Sequence, residues 1–286
     1  MASGRVILTD GAWGTELQAL GLGPDELPDL WNLAHPERVE QVARAYVEAG
    51  SEIILTNTFR ANRLAAGGRI LPPELAEVNR AGVEISRRAA AGRARVFASI
   101  GPSGKLLLEG AVTEDELRAA FSEQAEALGA SGADGLVIET MSDLTEAAIA
   151  VAAAKTTGLV VVACMVFDSG KNRDRTMMGV TPEQAAEALA AAGADVIGAN
   201  CGNGIAGYVP ICARLRAATG LPVWIKPNAG LPELEGGRVV YRTSPEEFAR
   251  HVPELVGAGA DYIGGCCGTN PEFIRAARAA LDRACA

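Results

Sequence analysis

Two glycine-rich runs of this 286-residue chain carry sulfur, Asn200-Cys201-Gly202 and Gly264-Gly265-Cys266-Cys267-Gly268. Three thiolates brought together suit a zinc ion, at about 2.3 Å per Zn–S bond, and leave one coordination position open for a substrate. The flanking glycines let backbone crowd close to such a centre. Spacing alone leaves two other readings of Cys266-Cys267 open, a vicinal disulfide and a glycine-rich phosphate loop. Cys164 falls in an apolar strand pattern, and Cys212 and Cys285 fall in helical stretches. Core packing or incidental exposure is the expectation for those three. Histidine is nearly absent: His35 precedes a proline at a helix start, and His251 sits in a helical stretch. Neither serves a serine–histidine–acid triad or a histidine-rich binuclear centre, which leaves chemistry in which a metal itself activates the nucleophile.

What would bring Cys201 to the other two is a repeated unit. Ala49-Gly50-Ser51-Glu52, Ser131-Gly132-Ala133-Asp134, Ala192-Gly193-Ala194-Asp195 and Ala258-Gly259-Ala260-Asp261 each follow an alanine-rich amphipathic stretch and precede an apolar run. The pattern reads as a helix ended by a left-handed glycine, then a tight turn into a buried strand. Eight strands follow, at about 5–9, 52–56, 95–100, 134–138, 160–166, 195–200, 222–226 and 261–265. Helices are expected between them, among others at 36–49, 73–90, 114–130, 145–155 and 182–191. Thr113 with Glu116 forms a capping box, and Thr181-Pro182 and Ser244-Pro245 place proline at the first helical position. Eight alternations in a chain of this length predict an α/β fold, a (β/α)8 barrel in a single domain spanning 1–286. An open doubly wound sheet is the alternative.

In such a barrel the chemistry lies at the C-terminal strand ends. Those ends read Asp10-Gly11, Thr56-Asn57-Thr58-Phe59, Ser99-Ile100-Gly101-Pro102, Glu139-Thr140, Asn200-Cys201, Lys226-Pro227-Asn228 and Gly265-Cys266-Cys267. Strands six and eight flank one neighbour, so their tips come within metal-ligand reach. A net charge of −9, with Arg scattered among Asp and Glu, argues against nucleic acid or an anionic membrane as partner. The start, Met1-Ala2-Ser3-Gly4-Arg5, has no signal-peptide character and no apolar run is long enough to span a bilayer, so a cytoplasmic location with reduced cysteines is expected.

Together Asp10-Gly11-Ala12-Trp13-Gly14-Thr15-Glu16-Leu17, Thr56-Asn57-Thr58-Phe59, Gly101-Pro102, Glu139-Thr140, Gly198-Ala199-Asn200-Cys201-Gly202 and Gly264-Gly265-Cys266-Cys267-Gly268-Thr269 resemble the homocysteine S-methyltransferase family. The resemblance covers essentially the whole chain, and its two cysteine motifs are the specific part. It implies a zinc-dependent methyltransferase forming methionine from L-homocysteine, with zinc on Cys201, Cys266 and Cys267. It also implies that the Asp10-Gly11 loop and Glu139 hold the amino and carboxylate groups of homocysteine, with Thr56 at the substrate. Asn228, in Lys226-Pro227-Asn228-Ala229-Gly230, looks like the methionine synthase form, in which the asparagine oxygen is a fourth ligand until homocysteine displaces it. The betaine branch has a tyrosine where this chain has Thr140, which weighs against betaine. The donors implied are methylcobalamin on a separate corrinoid protein, or a small molecule such as S-methylmethionine or betaine.

The chemistry is consistent with these residue types. A carboxylate such as Glu139 pairs with an ammonium, and backbone N–H groups in a glycine-containing loop receive a carboxylate. A free thiol, with a pKa near 8.5, is mostly protonated at neutral pH, and zinc coordination removes that proton. Trp13 and Phe59 are candidates for a wall against a cationic donor; Trp31 reads as core. Three rival readings remain: another thiol acceptor, a non-catalytic paralogue that binds zinc and homocysteine, and a phosphate-binding aldolase or isomerase barrel. In the last, Lys226 is the one tempting Schiff-base lysine, although the proline after it favours a lining role.

Overall fold

The computed structural model describes residues 5–236 and 238–284. Cys285 lies outside the described residues. The eight strands that line the barrel are β1 (Ile7–Leu8), β2 (Ile53–Ile54), β3 (Arg95–Ile100), β4 (Gly135–Met141), β5 (Val160–Met165), β6 (Val196–Gly204), β7 (Val223–Asn228) and, after a hairpin of β8 (Glu233–Glu235) and β9 (Arg238–Val240), β10 (Tyr262–Ile263). They are all parallel, in the order β1-β10-β7-β6-β5-β4-β3-β2. A parallel bridge from Thr9 to Ile53, with the Glu52 N–H donating to the Leu8 carbonyl at 2.8 Å, joins β2 back to β1 and completes the ring. This is the (β/α)8 barrel the repeat predicts, and the open sheet is excluded.

The helices are α1 (Gly14–Ala19), α2 (Trp31–Ala34), α3 (Pro36–Glu48), α4 (Pro72–Ala90), α5 (Glu114–Ala130), α6 (Leu144–Lys155), α7 (Pro182–Ala191), α8 (Ile205–Ala218), α9 (Pro245–Arg250), α10 (Val252–Gly257) and α11 (Pro271–Ala284). Among the described residues no helix is long and apolar enough to cross a membrane. Local chemistry accounts for the boundaries. Thr113 and Thr181 both make complete capping boxes, and the Ser244 hydroxyl accepts the Glu247 N–H. Gly50, Gly132, Gly193 and Gly259 have φ between 86° and 101°, the left-handed turn that the repeat requires and side-chain-bearing residues resist. His251 departs from expectation. It ends α9 and begins α10 rather than lying within a helix, because Pro253 can start a helix but cannot continue one.

Inside the barrel, an aromatic floor closes the lumen beneath the strand ends. Trp224 stacks on Phe97 at 6.2 Å between ring centroids and tilts against Tyr262 at 5.1 Å. Beside this floor Gly198 lets the β6 backbone close on β7, since a Cβ there would run into the Trp224 carbonyl group and the Cys164 sulfur. Cys164 joins this floor and Cys212 packs in the helix-facing core, so both are structural thiols.

The loop after β2 is tied down by buried polar groups. Asn57 donates to the Pro28 carbonyl and to Asn32, Asn32 donates back to the Asn57 carbonyl, and Asp29 accepts the Arg60 N–H at 2.9 Å. Burial pushes the Asp29 carboxyl up to about 6, against 3.8 when free, with the Arg60 and Asp29 N–H groups pulling the other way. Its folded pKa lies above its unfolded one, so the native state holds a proton that the unfolded chain releases. Stability therefore falls as pH rises from about 4 to 6, by about 3 kcal/mol at about 1.4 kcal/mol per unit, and the loss is complete above 6. Asp29→Asn keeps an acceptor for Arg60 without the charge. Urea unfolding at pH 4 and pH 7 is expected to show the variant gaining about that much on the wild type, and parallel curves would refute it.

Candidate metal and substrate site

Sulfur gathers at the ends of β6 and β10, the sixth and eighth strands of the barrel. β6 runs past its expected end to include Cys201, whose φ of 64° turns the chain sharply. The run after β10 is pinned on both sides: Gly265 N–H donates to the Asp10 carbonyl, Cys266 N–H to the Pro227 carbonyl, and Cys267 accepts the Ala229 N–H. At Gly264 a Cβ would fall 2.0 Å from Thr9 Oγ1 and 2.6 Å from the Asp10 oxygen, so only glycine lets this run approach β1. As a result the Cys201, Cys266 and Cys267 sulfurs all lie within 4.8 Å of one another, a set able to hold a metal ion.

The electrostatics favour a cation there. At Cys201, hydrogen bonding to Cys266 lowers the pKa, but bonding to Cys267, burial and the charge of Cys267 outweigh it and push the thiol up to about 12. At Cys267 the bond to Cys201 likewise lowers the value, and Cys266 and burial push it up to about 12. The bond to Cys201, ahead of burial, drives Cys266 well above the usual thiol range, with Cys267 opposing. Crowded thiols cannot all ionise unless a positive charge shares the site. Asn228 supplies a second sign. Its Nδ2 donates to the Gly202 carbonyl at 3.1 Å, while its buried Oδ1 has no partner among the described residues. Its neighbours Pro227 and Ala229 are bonded through the backbone to Cys266 and Cys267, and a buried, unpartnered carbonyl oxygen on the residue between them suits a ligand position.

Carboxylates form the other half of the site. Glu139, at the end of β4, accepts the Ser99 hydroxyl at 2.5 Å and lies 3.4 Å from Asn200 Nδ2. Burial pushes its pKa up, while the Lys226 charge and the Ser99 hydroxyl oppose this. Asp10 is fully committed: Oδ1 accepts Lys226 Nζ at 2.5 Å, and Oδ2 accepts Trp13 Nε1 at 2.8 Å and Leu55 N–H at 2.7 Å. Gly11 is buried beside Tyr46 and Thr269. Thr56 is also committed, accepting the Ser99 N–H and bonding Thr58, whose own proton goes to the Ser99 carbonyl. Its hydroxyl therefore orders the β2 and β3 tips.

Lys226 lines the lumen as expected, 2% exposed. Burial would lower its pKa, but Asp10 and then Glu139 outweigh that and hold it above the ordinary value. A Schiff-base lysine needs its neutral form, so this environment disfavours the aldolase reading. Neither histidine approaches the sulfurs through any hydrogen bond or ion pair: His35 pairs with Glu37 and His251 with Glu254. Trp13 turns its N–H to Asp10, Phe59 covers Gly101, and Trp31 is core.

Three contributors escaped the sequence reading as side chains with roles. Ser99 shares the lumen face of β3 with Phe97, and two-residue alternation could have marked it. Asn200 sits one residue before Cys201. Tyr241, just after the hairpin, packs its ring on Gly268, and no local pattern signals this.

A (β/α)8 barrel with a three-thiol cluster and buried carboxylates at its C-terminal mouth defines the class. The homocysteine S-methyltransferase family profile matches residues 7–281, and the chain belongs to that family. It is 30% identical over 295 residues to the methionine synthase of Mycobacterium leprae and 31% identical to that of Mycobacterium tuberculosis, covering 98% of this chain in each case. The chain spans about a quarter of those relatives' length, 24% and 25%. In fold it resembles the Escherichia coli homocysteine methyltransferase MmuM, with a TM-score of 0.80 to the metallated form (23% identity, 96% of each chain) and 0.76 to the apo form (22% identity, 96% of each chain).

Proposed function

We propose that residues 1–286 form one homocysteine-binding barrel that transfers a methyl group to the thiol of L-homocysteine, giving methionine, with zinc held by Cys201, Cys266 and Cys267. The observation that carries this is the three sulfurs within 4.8 Å of one another at a barrel mouth that also holds Glu139. Bound there, zinc would supply a Lewis acid that keeps an acceptor thiol deprotonated at neutral pH. The protein's own groups do the rest. Glu139, held by Ser99, accepts the substrate ammonium, and Lys226 and Asp10 compensate each other beneath it. Backbone N–H groups of the Asp10-Gly11 loop receive the carboxylate, so Asp10 acts through its loop and its ion pair. Thr56 keeps the tips of β2 and β3 in register beside the substrate. Asn228, whose buried Oδ1 has no partner among the described residues, would be a fourth group able to hold the metal when no acceptor thiol is bound. The methyl group comes from methylcobalamin on a separate corrinoid protein or from a small donor such as S-methylmethionine or betaine. Holding acceptor and donor in line, away from water, is the main task of these loops.

The test is metal content after purification under reducing conditions, then the spectrum of the cobalt-substituted protein on adding L-homocysteine. One metal per chain and a new thiolate band are expected, followed by methionine formation when the candidate donors are supplied in turn. A spectrum indifferent to L-homocysteine but responsive to another thiol would replace the acceptor. Binding without transfer from any of these donors would favour a non-catalytic paralogue.

A further inference from the structure

One carboxamide touches both halves of the site. Asn200 Oδ1 accepts the Thr140 N–H at 2.7 Å, and its Nδ2 donates to Thr140 Oγ1 at 2.7 Å. The same Nδ2 lies 3.4 Å from Glu139 Oε2 and 3.7 Å from Cys266 Sγ. Its backbone is held as well, since the Tyr208 hydroxyl donates to the Asn200 carbonyl at 2.9 Å. Thr140 needs holding: its φ is 63°, in the left-handed region that a β-branched residue avoids. Thr140 directly follows Glu139, and the register of β4 against β5 shifts between Ile138 and Met141, so a clamp on Thr140 fixes the irregular backbone that carries Glu139.

We propose that Asn200 is a positioning residue that confers selectivity for an acceptor bearing an α-amino group. By clamping Thr140 in its strained conformation and donating toward Glu139, it aims that carboxylate at the ammonium of the acceptor while keeping it in register with the Cys266 sulfur. This rests on the proposed reading of Glu139 as the ammonium partner. The amide has two N–H groups: one is committed to Thr140 Oγ1, and the other faces both Glu139 and Cys266. Asn200 thus supports the amine end of the site, and an acceptor lacking the amine does not draw on that support. A charge-assisted hydrogen bond of the kind Glu139 would make to an ammonium is worth about 10–100-fold in affinity.

The experiment compares L-homocysteine with 4-mercaptobutanoate, the same thiol acid without the amine, by anaerobic calorimetry on zinc-loaded protein. The wild type is expected to favour L-homocysteine by about 10–100-fold. Asn200→Ala is expected to lose most of that preference while binding 4-mercaptobutanoate about as well as before. Glycine adopts the left-handed turn without a clamp, so Thr140→Gly added to Asn200→Ala is expected to restore part of the preference. The double variant also carries the test if the single variant does not fold. A general packing defect would weaken both ligands equally and leave the ratio unchanged. An unchanged ratio in folded Asn200→Ala, or in the double variant alone a ratio no higher than unity, overturns the proposal. Should the wild type itself fail to prefer L-homocysteine, the proposed role of Glu139 falls, and this inference falls with it.

Discussion

Cys266→Ala is expected to release the metal and abolish transfer to L-homocysteine. The sulfurs of Cys201 and Cys267 remain, 3.7 Å apart, but two thiols and an asparagine oxygen are a poor set for a soft-ligand site. Removing a group that merely supports a ligand already costs about 10–100-fold in metal affinity, and removing a ligand costs more. Cys201→Ala and Cys267→Ala should behave alike. The control is Cys212→Ala. Cys212 is a buried thiol of α8 whose sulfur faces only the Leu255 and Ala258 carbonyls, so its loss should cost about 1 kcal/mol of stability and no metal. Metal per chain after dialysis under reducing conditions, read beside a methyl-transfer assay, separates the two. Stoichiometric metal in Cys266→Ala would dismiss the three-cysteine site.

The barrel was legible because its signals are local and repeated. A left-handed glycine after each alanine-rich helix is a backbone requirement, and Gly50, Gly132, Gly193 and Gly259 meet it wherever the pattern recurs. Capping threonines likewise announce their helices within three residues. The cysteines were legible for a different reason: strand order converts their distance in sequence into proximity, once strands six and eight are placed one apart. What stayed hidden depends on partners that only the closed ring supplies. Asp10 finds Lys226 across 216 residues, and nothing near Asp10 tells that its carboxylate is committed to three donors rather than offered to a ligand. Likewise nothing near Thr56, expected at the substrate, tells that its hydroxyl bonds Ser99 and Thr58 across the β2 and β3 tips. The hairpin of β8 and β9 was missed because its strands are three residues each, too short to show alternation.

That buried pair leads to the second large effect. Lys226→Met is expected to destabilise the barrel by about 3–5 kcal/mol, because it removes the cation and leaves Asp10 charged at 0% exposure beside Glu139. Methionine fills most of the lysine stem, so the loss is electrostatic rather than a cavity. At roughly 2–4 °C per kcal/mol for a chain of this size, the melting midpoint should fall by about 10 °C. Asp10→Asn alone leaves Lys226 charged and short of its acceptor, and should also be costly. The double variant Asp10→Asn/Lys226→Met buries no ion of this pair and retains an acceptor for the Leu55 and Trp13 N–H groups. It should therefore recover most of the loss, with a coupling energy of about 2–3 kcal/mol across the cycle. Additive losses in urea titrations of the four proteins would mean that the two side chains do not depend on each other. A Lys226→Met protein within about 1 kcal/mol of wild type would mean that the cation is not what makes the two carboxylates tolerable in the lumen.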